Sequence, residues 1–261
     1  MNDHNDKTGR QGIQVIARAG AVLSALEHAG DGLTLSELAL ATGMARSTVH
    51  RIAAALEAEG LVLSSPRGLL RLGPRLVALA RATRWHLGDA ARPYLSELGH
   101  SVDETVELGV LQGASLLLVD QVVARRRLRA VSSIGARFPA HCMAGGKVLL
   151  ARLSDETVTR LLPARLERLT PATITSRGEL LEQLAAVRER GVAFDHDEES
   201  EGISGVAVAV GDGSGDSASV TISGPSARLR GREEELAAAL LGVADELNAA
   251  LRAPASEPEW P

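Results

Sequence analysis

The chain has 261 residues, 45% of them hydrophobic and 23% charged, with a formal net charge of −5. This length and composition predict folded domains with a substantial core and exclude a chain that is disordered throughout. The single cysteine, Cys142, excludes an internal disulfide framework. The N-terminal residues are polar and do not resemble a secretory signal peptide, and we expect no apolar run long enough to span a membrane. We therefore predict a cytoplasmic protein with no membrane partner.

Basic residues are concentrated near the N-terminus. Residues 43–84 contain seven arginines against two acidic residues, Glu57 and Glu59, although the whole chain is acidic. Such a block predicts a local module that binds a polyanion, with chance clustering in an arginine-rich chain as the alternative. Aromatic residues make up only 2% of the chain, too few for the stacking platforms that single-strand binding uses.

The N-terminal segment predicts two helices in sequence. Residues 1–12 are polar and are expected to form a flexible arm. Apolar residues at helical spacing then predict a helix from Ile13 that ends near Gly30. The segment 34–37, Thr-Leu-Ser-Glu, has the pattern of a capping box and predicts a short second helix that ends at Gly43.

A third helix is predicted over 46–59, followed by two short apolar strands around the Pro/Gly turn 64–68. Three helices and a β-hairpin are the arrangement of a winged helix-turn-helix domain. Because local patterns agree at each step, we predict this domain over 13–74.

The rest of the chain predicts a linker helix over 75–88, ended by Gly88, and a second domain over 89–252 with a loose tail at 253–261. Helices in this domain are predicted at 89–98, 144–153, 155–162, 177–190 and 229–251. Strands are predicted at 105–110, 116–123, 128–131, 192–194, 203–210 and 217–223. This order predicts an α+β domain, an antiparallel sheet with flanking helices.

The start of the third helix carries residues suited to DNA. Arginine reads guanine edges in the major groove, and hydroxyl groups at a helix N-terminus bind phosphate. The candidate DNA-binding residues are Arg46, Ser47, Thr48, His50 and Arg51. Arg67, at the tip of the predicted hairpin, is a sixth candidate, with a solvated turn residue as the equally favoured alternative.

Three other motifs resemble functional sites, but each favours a structural interpretation, so we predict no catalytic residue, metal or cofactor. The run 145–147, Gly-Gly-Lys, lacks the upstream glycine and the following Ser/Thr of a phosphate-binding loop, so it indicates close backbone packing. His141 and Cys142 are neighbours in sequence, which rarely align as base and nucleophile. The acidic run 195–199 is more typical of a solvated loop than of a metal site.

Many short segments occur together in the order and spacing of a known family. They are residues 47–51, 56–61, 71–74, 91–93, 104–108, 135, 141, 144–151, 173–176, 187–191, 195–202 and 223–225. Over about 13–251 the chain therefore resembles the IclR family of bacterial transcription regulators. The resemblance implies a homodimer or tetramer whose winged domains bind palindromic double-stranded DNA. It also implies a larger, GAF-like domain that binds a small organic effector.

Carried over residue by residue, the resemblance places the effector site at Met143, Ala144, Gly145, Asp195, Gly205, Thr221 and Ser223. The family often has Cys where Gly205 stands, Pro where Ala209 stands and a small polar residue where Met143 stands. The site is thus reshaped and less polar, and no known effector can be transferred to it.

The sequence favours a DNA-binding regulator that is controlled by an effector. We expect a repressor and not an activator, and we expect no enzymatic activity. The alternative is a small-molecule-binding or enzymatic domain whose winged module serves protein contacts. The loop 143–146 opens a helix, so its N–H groups suit a carboxylate, while Thr221 and Ser223 offer hydroxyls on one strand face. Asp195 would repel a bare anion. We therefore expect a ligand with both a carboxylate and a donor group, or a largely apolar one.

Overall fold

A computed structural model of the chain describes residues 5–27, 29–82, 86–211 and 217–252. It divides into two compact units between Trp85 and His86. Within the described ranges, no helix combines the length and the apolar character needed to cross a membrane.

The first unit has the predicted winged helix-turn-helix fold. Its elements are α1 (Asn5–Glu27), α2 (Leu35–Thr42), α3 (Arg46–Ala58), β1 (Val62–Ser64), β2 (Leu70–Leu72) and α4 (Arg75–Ala82). The strands pair antiparallel, with Leu63 opposite Arg71. Aliphatic side chains from three helices and both strands form the core: Val22, Leu26, Leu38, Val49, Ile52, Ala53, Leu56, Val62 and Leu70.

The capping box that opens α2 is present. The backbone N–H of Glu37 donates to the Thr34 hydroxyl at 3.3 Å, and the Glu37 carboxylate accepts from the Thr34 N–H at 2.8 Å. The bond from the Thr34 N–H, and then one from the Thr34 hydroxyl to the same carboxylate at 2.8 Å, lower the pKa of Glu37. Gly43 ends the helix in the left-handed conformation, at φ 64°.

Two predictions in this part of the chain are wrong. The arm predicted as flexible over 1–12 is helical from Asn5 onward, because each residue added to a nucleated helix gains a hydrogen bond; residues 1–4 lie outside the described ranges. The helix predicted over 75–88 is described as α4 up to Ala82, and residues 83–85 lie outside the described ranges; the predicted end at Gly88 is wrong, because α5 (His86–Val102) passes through that residue. A glycine costs about 1 kcal/mol in a helix, and burial of the apolar face of α5 offsets that cost.

The second unit is a six-stranded antiparallel sheet with helices on both faces. After α5 it contains β3 (Thr105–Gln112), β4 (Ser115–Val122), β5 (Arg137–Pro139), α6 (Ala144–Ala151), α7 (Asp155–Leu161), α8 (Arg177–Arg190), β6 (Val192–His196), β7 (Ile203–Val210), β8 (Ala218–Pro225), α9 (Ser226–Leu229) and α10 (Glu233–Arg252). The strand order is β5-β4-β3-β8-β7-β6. The predicted α+β class is therefore confirmed.

Alternation along the strands sorts their side chains onto two faces. One face, with Val106, Val206 and Ile222, is apolar and packs against α5 and α10. The other face lies under α6 and carries polar and small residues. This second face is where the candidate effector residues fall.

The strand predicted at 128–131 is absent. Residues 123–136 form a loop in which Leu128 and Val131 are 69% and 57% exposed. Hydrogen bonds to the carbonyls of Leu128, from Arg228, and of Ala130, from Thr105, hold this loop. The helix predicted over 229–251 is α10 preceded by the separate turn of α9, and the predicted tail, 253–261, lies outside the described ranges.

Candidate functional site

The outer surface of α3 carries four of the predicted DNA-binding residues. Arg46, Ser47, His50 and Arg51 are exposed, because the apolar positions of this helix face the core of the unit. No side chain caps the N-terminus of α3, where Ala45 occupies the N-cap position. The first backbone N–H groups of the helix are therefore available to an outside acceptor.

Thr48 and Arg51 lie on the flank of α3 that faces α1. With Val15 and Ala19 of α1 they border a groove of about 410 Å³, and Thr48 is half-buried there. The predicted residues therefore do not all point in one direction. Ser47 and His50 project outward, and Thr48 lines the contact with the first helix.

Arg67 lies in the turn between β1 and β2 and is exposed. The turn is closed by the Leu69 N–H, which donates to the Ser65 hydroxyl at 3.1 Å, and by Gly68 at φ 75°. β1 is tied to α3 by the Glu57 carboxylate, which accepts from the Ser64 N–H at 2.9 Å. Arg67 thus projects from a turn whose geometry is fixed locally.

The second unit brings the predicted effector residues together on the face of the sheet under α6. Asp195, Gly205 and Ser223 are direct cross-strand neighbours on β6, β7 and β8. Thr221 lies two residues before Ser223 on the same face, next to Gly205. All of these residues are buried.

The start of α6 covers this face closely. A Cβ on Gly145 would come within 2.7–2.8 Å of the hydroxyls of Ser219 and Thr221, so only glycine fits there. A Cβ on Gly146 would collide with the Ala140 carbonyl. The two glycines therefore serve close backbone packing, and Met143 and Ala144 beside them are buried in the same cluster of apolar residues.

Glu107 was not predicted to belong to this site. It lies opposite Thr221 on β3 and is 3% exposed. Its carboxylate accepts from Gln121 Nε2 at 3.0 Å and from the Ser223 hydroxyl at 3.1 Å. Burial raises its pKa, and hydrogen bonds from Ser132, Gln121 and Ser223 offset part of the rise. The alternation of side chains along β3 could have indicated Glu107, because it places this residue on the face of the strand that carries small and polar residues.

The acidic run 195–199 begins at the end of β6 and is only partly solvated. Asp195 and Glu198 are buried, and the Glu198 N–H donates to Asp195 Oδ1 at 2.8 Å. Desolvation, and then the charge of Glu198, raise the pKa of Asp195 to about 7 against the lowering effect of that hydrogen bond. Lys147 on α6 forms a buried ion pair with Glu198, with Nζ to Oε1 at 2.5 Å.

No catalytic pair forms at His141 and Cys142. The Cys142 thiol donates to the Pro139 carbonyl, and His141 Nε2 contacts the Glu167 carbonyl at 3.0 Å. Burial, followed by the charges of Asp195 and Glu199, raises the pKa of the Cys142 thiol to about 12. The described residues also contain no group of three His, Cys, Asp or Glu side chains placed to hold a metal ion.

Comparison with known proteins covers both units. The sequence family described as the IclR helix-turn-helix domain matches residues 15–66, and the bacterial transcriptional regulator IclR C-terminal domain matches 80–249. The HTH-type transcriptional regulator Rv1719 of Mycobacterium tuberculosis is 44% identical over 250 residues, which cover 95% of this chain and 96% of the relative.

Two further proteins are similar to this chain and point to the same family. The transcriptional repressor IclR of Escherichia coli is 30% identical over 91% of this chain and 90% of its own length. An IclR homolog from Microbacterium hydrocarbonoxydans, solved in complex with 4-hydroxybenzoate, has the same fold, with a TM-score of 0.80 at 24% identity over 92% of this chain and 100% of that one. The chain belongs to the IclR family, and it is a DNA-binding transcriptional regulator with a C-terminal effector-binding domain.

Proposed function

We propose that the protein is a repressor whose dimer binds a palindromic operator through α3 and is controlled by a small organic effector bound between α6 and the sheet. The observation that carries the DNA-binding part is the exposure of Arg46, Ser47, His50 and Arg51 on the third helix of a winged unit. An α-helix fits the major groove, where arginine reads guanine and the helix N-terminus binds phosphate.

In this proposal Arg46 and Arg51 contact base edges, Ser47 and the free N–H groups of α3 contact phosphate, and Arg67 contacts the DNA from the wing. Thr48 supports this surface from the groove beside α1. A side chain that reads a base contributes about 1–3 kcal/mol, which corresponds to roughly 5- to 150-fold in affinity.

The experiment is a gel shift of the full chain against its own upstream intergenic DNA. Arg46→Ala and Arg51→Ala should each weaken binding by that factor and relax the sequence preference. Arg190→Ala, which removes an exposed arginine from the second unit, is the matched control and should bind as wild type does. If both α3 variants are folded and bind the operator unchanged, the helix assignment is wrong.

A homodimer is the second part of the proposal. Ile16 on α1 is 75% exposed, and Val77 and Leu79 on α4 are 58% and 47% exposed. A small winged unit that presents apolar side chains on two helices favours their burial against a second copy. A two-fold dimer then matches a palindrome with one half-site per copy. Light scattering at micromolar concentration should give at least twice the chain mass, and a monomer would contradict the proposal.

The third part concerns the effector. The convergence of Ala144, Gly145, Asp195, Gly205 and Thr221, joined by Met143 and Ser223, supports a ligand site between α6 and the sheet. The related protein solved with 4-hydroxybenzoate is a precedent for a small organic ligand. Control requires that the ligand bind the DNA-competent and incompetent dimers with different affinity, because equal binding shifts nothing.

A thermal-shift screen of metabolites tests the site directly. Thr221→Val and Ser223→Ala should weaken binding of any compound that raises the melting temperature and releases the operator. If the affinity of such a compound is the same in both variants, the effector site lies elsewhere.

A catalytic role is not part of the proposal. The Cys142 thiol is buried and donates to a backbone carbonyl rather than to His141. A thiol with its pKa raised to about 12 is almost entirely protonated near neutral pH, so it is a poor nucleophile.

A further inference from the structure

One buried side-chain oxygen in the described part of the chain lacks a hydrogen-bond partner. It is Oε2 of Glu198, whose side chain is 7% exposed. The other oxygen of this carboxylate, Oε1, accepts from Lys147 Nζ at 2.5 Å. A buried acceptor without a donor is unfavourable, and native folds contain few of them, so this oxygen marks a place where a donor is missing.

Glu198 lines a cleft of about 190 Å³ beside β6, the edge strand of the sheet. Lys147 and Gln183 line it too, and Gln183 Oε1 accepts from Lys147 Nζ at 3.4 Å, so the three polar side chains lie together at one end. A cleft of this size has room for a molecule about as large as benzene. The remaining wall is mostly apolar and includes Val187, Val192 and Phe194.

This cleft is separate from the candidate effector site. Val192 and Phe194 alternate along β6 with Asp195, so their side chains point away from the face that carries Asp195 and Gly205. The residues assigned to the effector site do not line the cleft. A link between the two places is the Glu198 N–H, which donates to Asp195 Oδ1 at 2.8 Å.

We propose that this cleft is a second small-molecule site and that it binds a neutral primary amide. An N–H of the ligand donates to Glu198 Oε2, and the side-chain nitrogen of Gln183 donates to the ligand carbonyl. An ammonium group has only donors, so the Gln183 oxygen faces Lys147 and its nitrogen, which has no partner among the described residues, is available. Because Oε2 is covered in this conformation, entry of the ligand includes a rotation of the Glu198 carboxylate or of the exposed Gln183 side chain.

The charges at the cleft favour a neutral ligand. Lys147 and Glu198 neutralise each other, so the buried end carries no net charge. An ammonium group there would lie beside Lys147, and a carboxylate would face Glu198. Arg190 and His196 border the mouth but are exposed, so solvent and salt screen them and the buried end determines the charge of the ligand.

The test uses two matched sets of probes with the full chain: isobutyramide, 3-methyl-2-butanone and isobutyrate, and then benzamide, acetophenone and benzoate. Each ketone has the shape of its amide but lacks the N–H groups. Calorimetric titration and ligand-observed NMR give the Kd values, which for ligands of this size are expected on the order of 1 mM.

Two variants on α8 show which part of the binding occurs in the cleft. Ala186→Leu adds a side chain at an exposed position that lines the cleft and should abolish binding there. Ala185→Leu is the matched control, because it adds the same side chain at the neighbouring exposed position, which does not line the cleft, and it should change nothing.

Within the binding that Ala186→Leu removes, at least one amide should bind about tenfold more tightly than its ketone and its carboxylate, because a hydrogen bond to a charged group supplies that factor. Gln183→Met removes the donor to the carbonyl and should weaken the amide about fivefold. If no amide exceeds its ketone, or if the carboxylate binds the cleft as tightly, the assignment of the ligand is overturned.

The location is tested apart from the effector site. An amide that binds Thr221→Val as it binds the wild type, and that fails to bind Ala186→Leu, supports a second site. An amide that ignores Ala186→Leu and is lost in Thr221→Val binds at the effector site instead, and the proposal is then wrong.

Discussion

The ion pair between Lys147 and Glu198 gives the sharpest test of how the second unit is held together. Their side chains are 2% and 7% exposed, so a buried ion pair ties α6 to the segment after β6. Lys147→Met keeps most of the length of the side chain and removes its charge. Glu198, whose Oε2 has no partner among the described residues, is then left buried with no counter-charge.

The expected loss is large because one partner of a buried pair remains. Such changes cost about 3–5 kcal/mol, whereas replacing both partners by apolar residues is often nearly neutral. For a unit of this size, 1 kcal/mol corresponds to about 2–4 °C, so the melting temperature should fall by roughly 6–20 °C. The double variant Lys147→Met with Glu198→Leu should recover most of that fall.

Scanning calorimetry of the full chain at pH 7 is the assay. Glu156→Gln, at an exposed pair with Arg160, should change little. A Lys147→Met transition within 2 °C of wild type at pH 7 would refute the reasoning.

Three other predictions follow from local geometry and charge. Gly146→Ala should destabilise the second unit severely, because its Cβ would collide with the Ala140 carbonyl, whereas Gly205→Ala should melt close to wild type. The raised pKa of Asp195, about 7 against an ordinary 3.8, means that the folded state holds an extra proton, so stability should fall as pH rises from about 4 to 7; Asp195→Asn should remove that slope in melts at pH 5 and pH 8. Thr34→Ala removes the α2 cap and should cost the winged unit about 1 kcal/mol in denaturant unfolding.

The winged unit was predictable because residues close in sequence determine where its helices and strands begin and end. Thr34 opens α2 and Gly43 closes it, and the turn around Gly68 separates two strands that are neighbours in sequence. One error arose where burial outweighs local preference: Gly88 would end an isolated helix, but the apolar face of α5 is buried. The other lies in an exposed loop, where side chains and not a neighbouring strand bind the carbonyls of Leu128 and Ala130.

Most strands of the second unit were predictable from the sequence, but the order in which they pair in the sheet was not. β3 pairs with β8, which brings Gly109 beside Ser219 from 110 residues away, and no local pattern specifies that pairing. The composition of the candidate effector site was unpredictable for the same reason. Resemblance supplied Thr221 and Ser223, but Glu107 joins them only through the pairing of β3 with β8.

The polar rows under α6 are best understood as a cost that the fold carries for its function. Apolar residues at Glu107 and Asp195 would satisfy the packing of this face as well as Val106 and Ile222 do on the opposite face. Instead, both carboxyl groups are buried, and neither forms an ion pair with a described residue, which is unfavourable. A ligand that offsets this cost gains affinity for the conformation in which the site is formed. That gain is the differential binding energy that an effector needs if it is to shift the protein between DNA-competent and incompetent states.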